Sequence, residues 1–307
     1  MKLGTRGSAL ALWQANWTKA ELERRSPGLT VELVPIKTTG DKILDVPLAK
    51  IGGKGLFTKE IDEALLDGRI DLAVHSLKDV PFELPAGISI GAVPEREDPR
   101  DAFLSNGPKL HELRKDATIG TSSLRRQVQL RHHFPSLTIA MLRGNVDTRL
   151  RKLAAGEFDG IILAVAGLKR LGHAGRITQI LDDDIMVSAV GQGALGIVCR
   201  VQDDSTLQLL QALDHNPTRI AVTAERGLLR ALGGSCQVPV AGKAKLADGK
   251  LTIKGLIASL DGVRVITDEL IGLPEQAEQL GIELGQRMLS KGAGEILAEI
   301  IQQAADR

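Results

Sequence analysis

The 307-residue chain has no tyrosine, and aromatic residues make up only 2% of it. That scarcity argues against base-stacking platforms and aromatic ligand cages, which need rings at the surface. Cysteine is almost as rare. Two thiols, Cys199 and Cys236, cannot staple a disulfide framework, and neither belongs to a CxxC or His/Cys pattern with zinc spacing, so no metal is expected. Excess charge is missing too: 39 Lys and Arg face 38 Asp and Glu, leaving +1. A near-neutral chain lacks the large positive field of a general nucleic-acid binder, so no nucleic-acid partner is expected. The longest apolar run, Ile161 to Leu168, is too short to cross a bilayer. Lys2, Arg6 and Ala9-Leu10-Ala11 superficially resemble a signal peptide, but no apolar stretch precedes the alanines, and Gln14 and Asn16 interrupt the residues after them. The expected setting is cytoplasmic, with no membrane partner.

Apolar residues are plentiful at 43%, enough for real cores, and the length implies two or three domains. The first ninety residues alternate in period. A strand at 2–5 leads to a helix capped by Ser8 and stopped at Ser26-Pro27-Gly28; a strand at 30–36, a helix at 57–66 and a buried strand at 70–74 come after it. After Glu95-Arg96-Glu97-Asp98-Pro99-Arg100 the rhythm restarts, with strands at 117–119, 137–141 and 160–164 and helices at 123–133 and 147–155. The similarity between the halves is architectural, without a residue-level repeat. Near the end, Asp248-Gly249 and Asp261-Gly262 separate three β-rich runs before a helical stretch at 274–301, the pattern of an antiparallel sheet with helices on one side.

Four clusters of residues invite a chemical reading. In Val74-His75-Ser76-Leu77-Lys78-Asp79-Val80-Pro81 a loop follows a buried strand directly, where parallel sheets place ligands; Asp79 is either a placed carboxylate or a turn cap before proline. Arg125, Arg126, Arg131, Arg143, Arg149 and Arg151 crowd between Thr121 and Arg151, with Asp147 and no Glu against them. Arg125, Arg126 and Arg143 fall at strand–helix junctions, where helix N-termini and guanidinium forks favour anions; a solvated helix face accounts for Arg131 and Arg151. Gly52-Gly53-Lys54-Gly55 is glycine-rich backbone with a lysine that could cradle an anion, without a Walker pattern, while Gly191-Gln192-Gly193-Ala194-Leu195-Gly196 has dinucleotide spacing but precedes a strand instead of a helix. Finally, Cys236 sits in Gly233-Gly234-Ser235-Cys236-Gln237-Val238-Pro239, either as an accessible nucleophile or as an ordinary turn residue.

In order along the chain, Gly4-Thr5-Arg6-Gly7-Ser8, Gly52-Gly53-Lys54-Gly55-Leu56-Phe57, His75-Ser76-Leu77-Lys78-Asp79-Val80-Pro81, Glu95-Arg96-Glu97-Asp98-Pro99-Arg100-Asp101, Gly120-Thr121-Ser122-Ser123-Leu124-Arg125-Arg126, Leu142-Arg143-Gly144-Asn145-Val146 and Cys236-Gln237-Val238-Pro239 together resemble the porphobilinogen deaminase (hydroxymethylbilane synthase) family over essentially the whole length. One departure is Ser235, which stands between the glycine pair and the cysteine. The resemblance implies an α/β fold: two periplasmic-binding-protein-like lobes with mixed, mostly parallel sheets, plus a C-terminal α+β domain with an antiparallel sheet. Lobe 1 would take 1–94 plus 189–213, lobe 2 95–188 and the third domain 214–307, the return to lobe 1 accounting for a strand read at 189–201.

The same resemblance implies a transferase of tetrapyrrole biosynthesis that joins four porphobilinogen molecules into linear hydroxymethylbilane, releasing ammonia each time. A dipyrromethane cofactor on Cys236, held by a thioether, primes the chain. Asp79 would be catalytic, accepting pyrrole N–H hydrogen bonds and stabilising the cation formed as ammonia leaves. Arg6, Ser8, Lys50, Lys54, Lys78, Arg125, Arg126, Arg143, Arg149 and Arg170 would bind cofactor and substrate carboxylates, and Phe57 would cover the catalytic ring or serve the core. The family also implies a monomer. Two other readings stay open: a two-lobed binding protein for a carboxylated ligand, which leaves Cys236 without a task, and a nicotinamide enzyme, which rests only on the Gly191 spacing.

Overall fold

The computed structural model describes residues 1–42, 58–233 and 238–305; Lys50, Lys54, Phe57 and Cys236 lie outside the described residues. β1 (Lys2–Thr5) leads to α1 (Ala9–Arg25), whose N-cap Ser8 accepts the Ala11 amide and which stops at Ser26. β2 (Glu32–Pro35) and the single turn α2 (Thr39–Lys42) come next, then α3 (Lys59–Leu66), β3 (Leu72–Ser76) and β4 (Ile88–Ala92). β3 starts later than the apolar run because the Arg69 and Ile70 amides still bond the Ala64 carbonyl, carrying the end of α3 forward.

The chain continues through β5 (Asp101–Ser105), β6 (Thr118–Gly120), α4 (Leu124–His133), β7 (Thr138–Ala140), α5 (Val146–Ala154), β8 (Gly160–Ala164), α6 (Val165–Arg170) and β9 (Gln179–Ile180). β10 (Leu195–Arg200), α7 (Asp204–Gln211) and α8 (Asn216–Ala231) precede β11 (Val240–Ala247), β12 (Lys250–Ala258), β13 (Val265–Gly272), α9 (Ala277–Met288) and α10 (Gly294–Ala305). No helix of the described residues is long and apolar enough to cross a membrane.

Two five-stranded sheets share one plan. The first runs β2-β1-β3-β10-β4 and the second β7-β6-β8-β5-β9. β1 is parallel to β2 and β3, and β6 to β7 and β8; in each sheet the fourth strand, β10 or β5, is the reversed one. The third sheet, β11-β12-β13, is antiparallel throughout. The fold is therefore α/β, with two lobes on mixed, mostly parallel sheets and a C-terminal α+β part. The described residues form two compact units: one takes 1–42, 58–97 and Gly193–Arg219, the other Asp98–Gln192 and the residues from Ile220 onward.

Two expectations need correction. The strand read at 189–201 begins only at Leu195, because Gly191 and Gly193 take left-handed φ values of 71° and 86° that break an extended run. The helical stretch at 274–301 is two helices, parted by a π turn over Leu289–Ala293 in which Gly292 has φ 99°. The Asp248-Gly249 signal holds: φ values of 52° and 71° make the two-residue turn that joins β11 to β12.

The C-terminal core depends on close helix contact. A Cβ on Gly281 of α9 would stand 1.9 Å from the Ala224 carbonyl oxygen of α8, a backbone atom that cannot step aside. Gly281→Ala is therefore expected to cost about 1–3 kcal/mol by overpacking. Thermal melting of the variant beside the parent checks this, and an unchanged melting temperature would contradict the close approach.

Candidate active site

In the first unit, β3 ends the buried run Leu72–Val74 and passes into a 3₁₀ turn, Leu77–Asp79. The Leu77 amide bonds the Ala194 carbonyl at 3.0 Å and the Val80 amide bonds Leu77 at 3.1 Å. Leu77 and Val80 are buried, while Lys78 and Asp79 between them are partly exposed. Two apolar anchors thus turn the charged pair outward, with Pro81 fixing the exit. Asp79 is the last residue of this turn, whose N-cap is Ser76.

Arg6 follows β1 and is half-buried, and Ser8 uses its oxygen as the α1 cap. His75, two residues before Leu77, is 6% exposed, and its Nε2 has no hydrogen-bond partner among the described residues. Burial, then the Arg6 charge, pull its pKa down to about 4, so the ring is neutral at neutral pH.

In the second unit the arginines gather. Thr121 is fully buried at the end of β6, and α4 starts with no acidic residue in its first turn, leaving its N-terminal field unopposed. Arg125 and Arg126, the second and third residues of α4, are buried on Asp101 at the start of β5: Arg125 Nη1 reaches Oδ2 at 2.8 Å and Arg126 Nη2 reaches Oδ1 at 2.7 Å. Burial alone would raise the Asp101 pKa, yet the two guanidiniums hold it far below the usual carboxylate range.

The Leu142-Arg143-Gly144-Asn145 corner is built for display. Leu142 is fully buried, Gly144 has φ 112°, Asn145 caps α5 by accepting the Thr148 amide at 2.9 Å, and Arg149 Nε donates to the Gly144 carbonyl at 2.8 Å. Arg143 Nε is buried without a partner among the described residues. Burial, followed by the like charges of Arg126 and Arg143, draws the Arg149 pKa down to about 10. Arg149 therefore sits within electrostatic reach of two further guanidiniums. Arg170 ends α6 and is half-buried.

Several sequence-level assignments change. Asp147, the one acidic residue within the arginine run, lies 3.1 Å from His173 Nε2. The counter-ion of Arg125 and Arg126 is Asp101, next to the charged run at 95–100 that reads as a break between lobes. Arg131 is no solvated residue, because its Nη1 donates to the Leu260 carbonyl of the β12–β13 connection. Arg151 is exposed, as a solvated helix face implies. Gln192, 1% exposed, also reaches Asp101, although in the sequence it stands out only as part of a dinucleotide-like spacing. A buried carboxylate among arginines is a long-range pairing, and no local pattern announces it.

The family model "Porphobilinogen deaminase, dipyromethane cofactor binding domain" matches residues 1–208, and "Porphobilinogen deaminase, C-terminal domain" matches 219–290. Curated relatives named porphobilinogen deaminase include those of Trichlorobacter lovleyi, 53% identical over 99% of this chain and 97% of that protein, and Geobacter sulfurreducens, 52% identical over 100% and 96%. Among solved structures, the periplasmic VFT2 domain of Bordetella pertussis BvgS covers 69% of this chain and 86% of that one at 13% identity, with a TM-score of 0.40. A TRAP periplasmic solute binding protein from Desulfovibrio salexigens covers 70% and 72% at 15% identity, with a TM-score of 0.42. With both family models matched in order and relatives above half identity along its whole length, the chain belongs to the porphobilinogen deaminase family.

Proposed function

We propose that the residues described above divide the work of hydroxymethylbilane synthesis, the family's transferase reaction, in which four porphobilinogens are condensed and ammonia is released at each step. Asp79 is the catalytic carboxylate: a negative group on a rigid turn accepts the pyrrole N–H and lowers the energy of the cation left when ammonia departs. Arg6, Ser8, Lys50, Lys54, Lys78, Arg125, Arg143, Arg149 and Arg170 bind acetate and propionate groups, Arg126 serves that set from within by holding Asp101, and Phe57 covers the reacting ring. Lobe 1 (1–94 and 189–213) supplies Asp79, lobe 2 (95–188) the arginine cluster, and the third domain (214–307) Cys236. The working protein is a cytoplasmic monomer without a nucleic-acid or membrane partner.

One observation carries this reading: Arg143 Nε is buried without a partner among the described residues, within electrostatic reach of Arg149, which Arg126 also reaches. Several cations held together need anions, and a carboxylate-rich oligopyrrole fits the demand, as it fits a resident dipyrromethane. When joined to Cys236, that cofactor supplies the pyrrole α-carbon from which elongation starts. Each added ring brings two more carboxylates, and charge-assisted hydrogen bonds contribute roughly 1.5–3 kcal/mol apiece.

Arg143→Leu against Arg131→Leu tests the assignment. Arg143→Leu is expected to raise KM or stall elongation by about tenfold or more, with little loss of melting temperature. Arg131→Leu removes the bond to the Leu260 carbonyl, so stability falls by about 1 kcal/mol while KM holds. Steady-state kinetics with thermal melts separate the two. Equal, small kinetic effects would remove Arg143 from the binding set.

A further inference from the structure

The Gly191-Gln192-Gly193 segment forms no nucleotide loop, yet its geometry is tightly specified. Between its two left-handed glycines, the buried Gln192 side chain donates through Nε2 to the Pro99 carbonyl at 2.7 Å and to Asp101 Oδ1 at 3.0 Å. Both partners are pure acceptors, which fixes the orientation of the carboxamide. The segment is anchored in turn: the Gly191 amide donates to Glu225 Oε2 at 2.7 Å, and Glu225 Oε1 accepts the Ala244 amide at 2.8 Å. Glu225 is fully buried on α8.

Asp101 is the centre of this network. Oδ1 accepts Gln192 Nε2 together with Arg126 Nε and Nη2, and Oδ2 accepts Arg125 Nη1. Arg126 Nη1 donates to the Ile162 carbonyl, so that fork is committed inside the protein. Among the described residues Arg125 gives only Nη1, to Asp101 and the Val187 carbonyl, and its aim follows the plane of the Asp101 carboxylate. That plane turns about a soft, broad torsion, and the Gln192 amide gives it a third point of support beside the two guanidiniums.

We propose that Gln192, acting through Asp101, is a positioning residue that sets the aim of the Arg125 fork toward a ligand carboxylate. The inference rests on Arg125 being a ligand-binding residue and adds a role to a glutamine that acts through another side chain. It also gives the Gly-Gln-Gly spacing a physical reason, since left-handed glycines on either side let the backbone turn the glutamine inward.

A double-mutant cycle on the holoenzyme provides the test. Gln192→Leu keeps the side chain's bulk and the ion pair but removes the third arm on Asp101. It is expected to raise KM for porphobilinogen about tenfold with kcat within about threefold. In an Arg125→Leu background the same change should move KM less than about twofold, because the fork it aims is gone. Intact-mass spectra should show fewer pyrrole units held on Gln192→Leu than on the parent at matched substrate. A lower melting temperature with unchanged KM would overturn the proposal, as would an equal KM effect in both backgrounds. If Gln192→Leu does not fold, Gln192→Asn, which keeps the amide and shortens its reach, takes its place with the same expected pattern. Arg125→Leu alone separates the two levels: if it leaves KM unchanged the ligand-binding reading fails, whereas an impaired Arg125→Leu beside an unaffected Gln192→Leu sinks only the positioning role.

Discussion

Asp79→Asn is expected to slow hydroxymethylbilane formation by about 10²–10³ while the protein still folds. The substitution keeps the shape of the side chain and deletes its charge. An amide still accepts a hydrogen bond, but it cannot offset the positive charge that develops as ammonia departs. Folding should survive because the turn is held by the buried Leu77 and Val80 and by main-chain bonds. The neighbouring Lys78 cannot substitute, because its charge has the wrong sign. Single-turnover assays with a melting curve check both halves of the statement. A near-normal rate would take Asp79 out of its assigned role, and a collapsed fold would give the carboxylate a structural task instead.

Purified enzyme should be heavier than its sequence by one dipyrromethane unit, and Cys236→Ser should erase the increment together with essentially all activity. Of the two thiols, Cys199 is fully buried in β10, and burial raises its pKa, which disfavours the reactive thiolate. Cys236 is thus the nucleophile to expect, despite Ser235 beside it. Intact-mass spectrometry before and after adding porphobilinogen reads the outcome, with added mass appearing in single-pyrrole steps. An active enzyme of unmodified mass would defeat the tethered-primer mechanism and favour a passive receptor for carboxylated ligands.

Much of the fold is legible in the sequence because the signals are local. The Asp248-Gly249 turn and the β8 run at 160–164 depend on a few adjacent residues, and each appears where the sequence places it. Ser8 as a helix cap is legible for the same reason. Errors arise where distant partners decide. Arg131 reads as solvated until the β12–β13 connection comes to rest on it, and Asp101, next to the charged break at 95–100, shows no partner until Arg125 and Arg126 close over it. Gly292 reads as a tolerated glycine in a continuous helix, although tertiary packing places it at φ 99°. In the site, motif order identifies the residue types, but it does not reveal that Arg126 is committed inward while Arg143 Nε lacks a partner among the described residues.

Helix α4 has a consequence for how the molecule comes apart. Its first turn is fastened to Asp101 at the start of β5 in the second sheet, Val128 in its middle packs with Ala241, Leu256 and Ala258 of the third, and Arg131 and His132 meet the Leu260 and Gly262 carbonyls. Neither sheet can shed this shared wall without stripping the other. Heating should therefore dissolve the two as one cooperative block, and calorimetry should count a single transition for them despite their separate strand pairings.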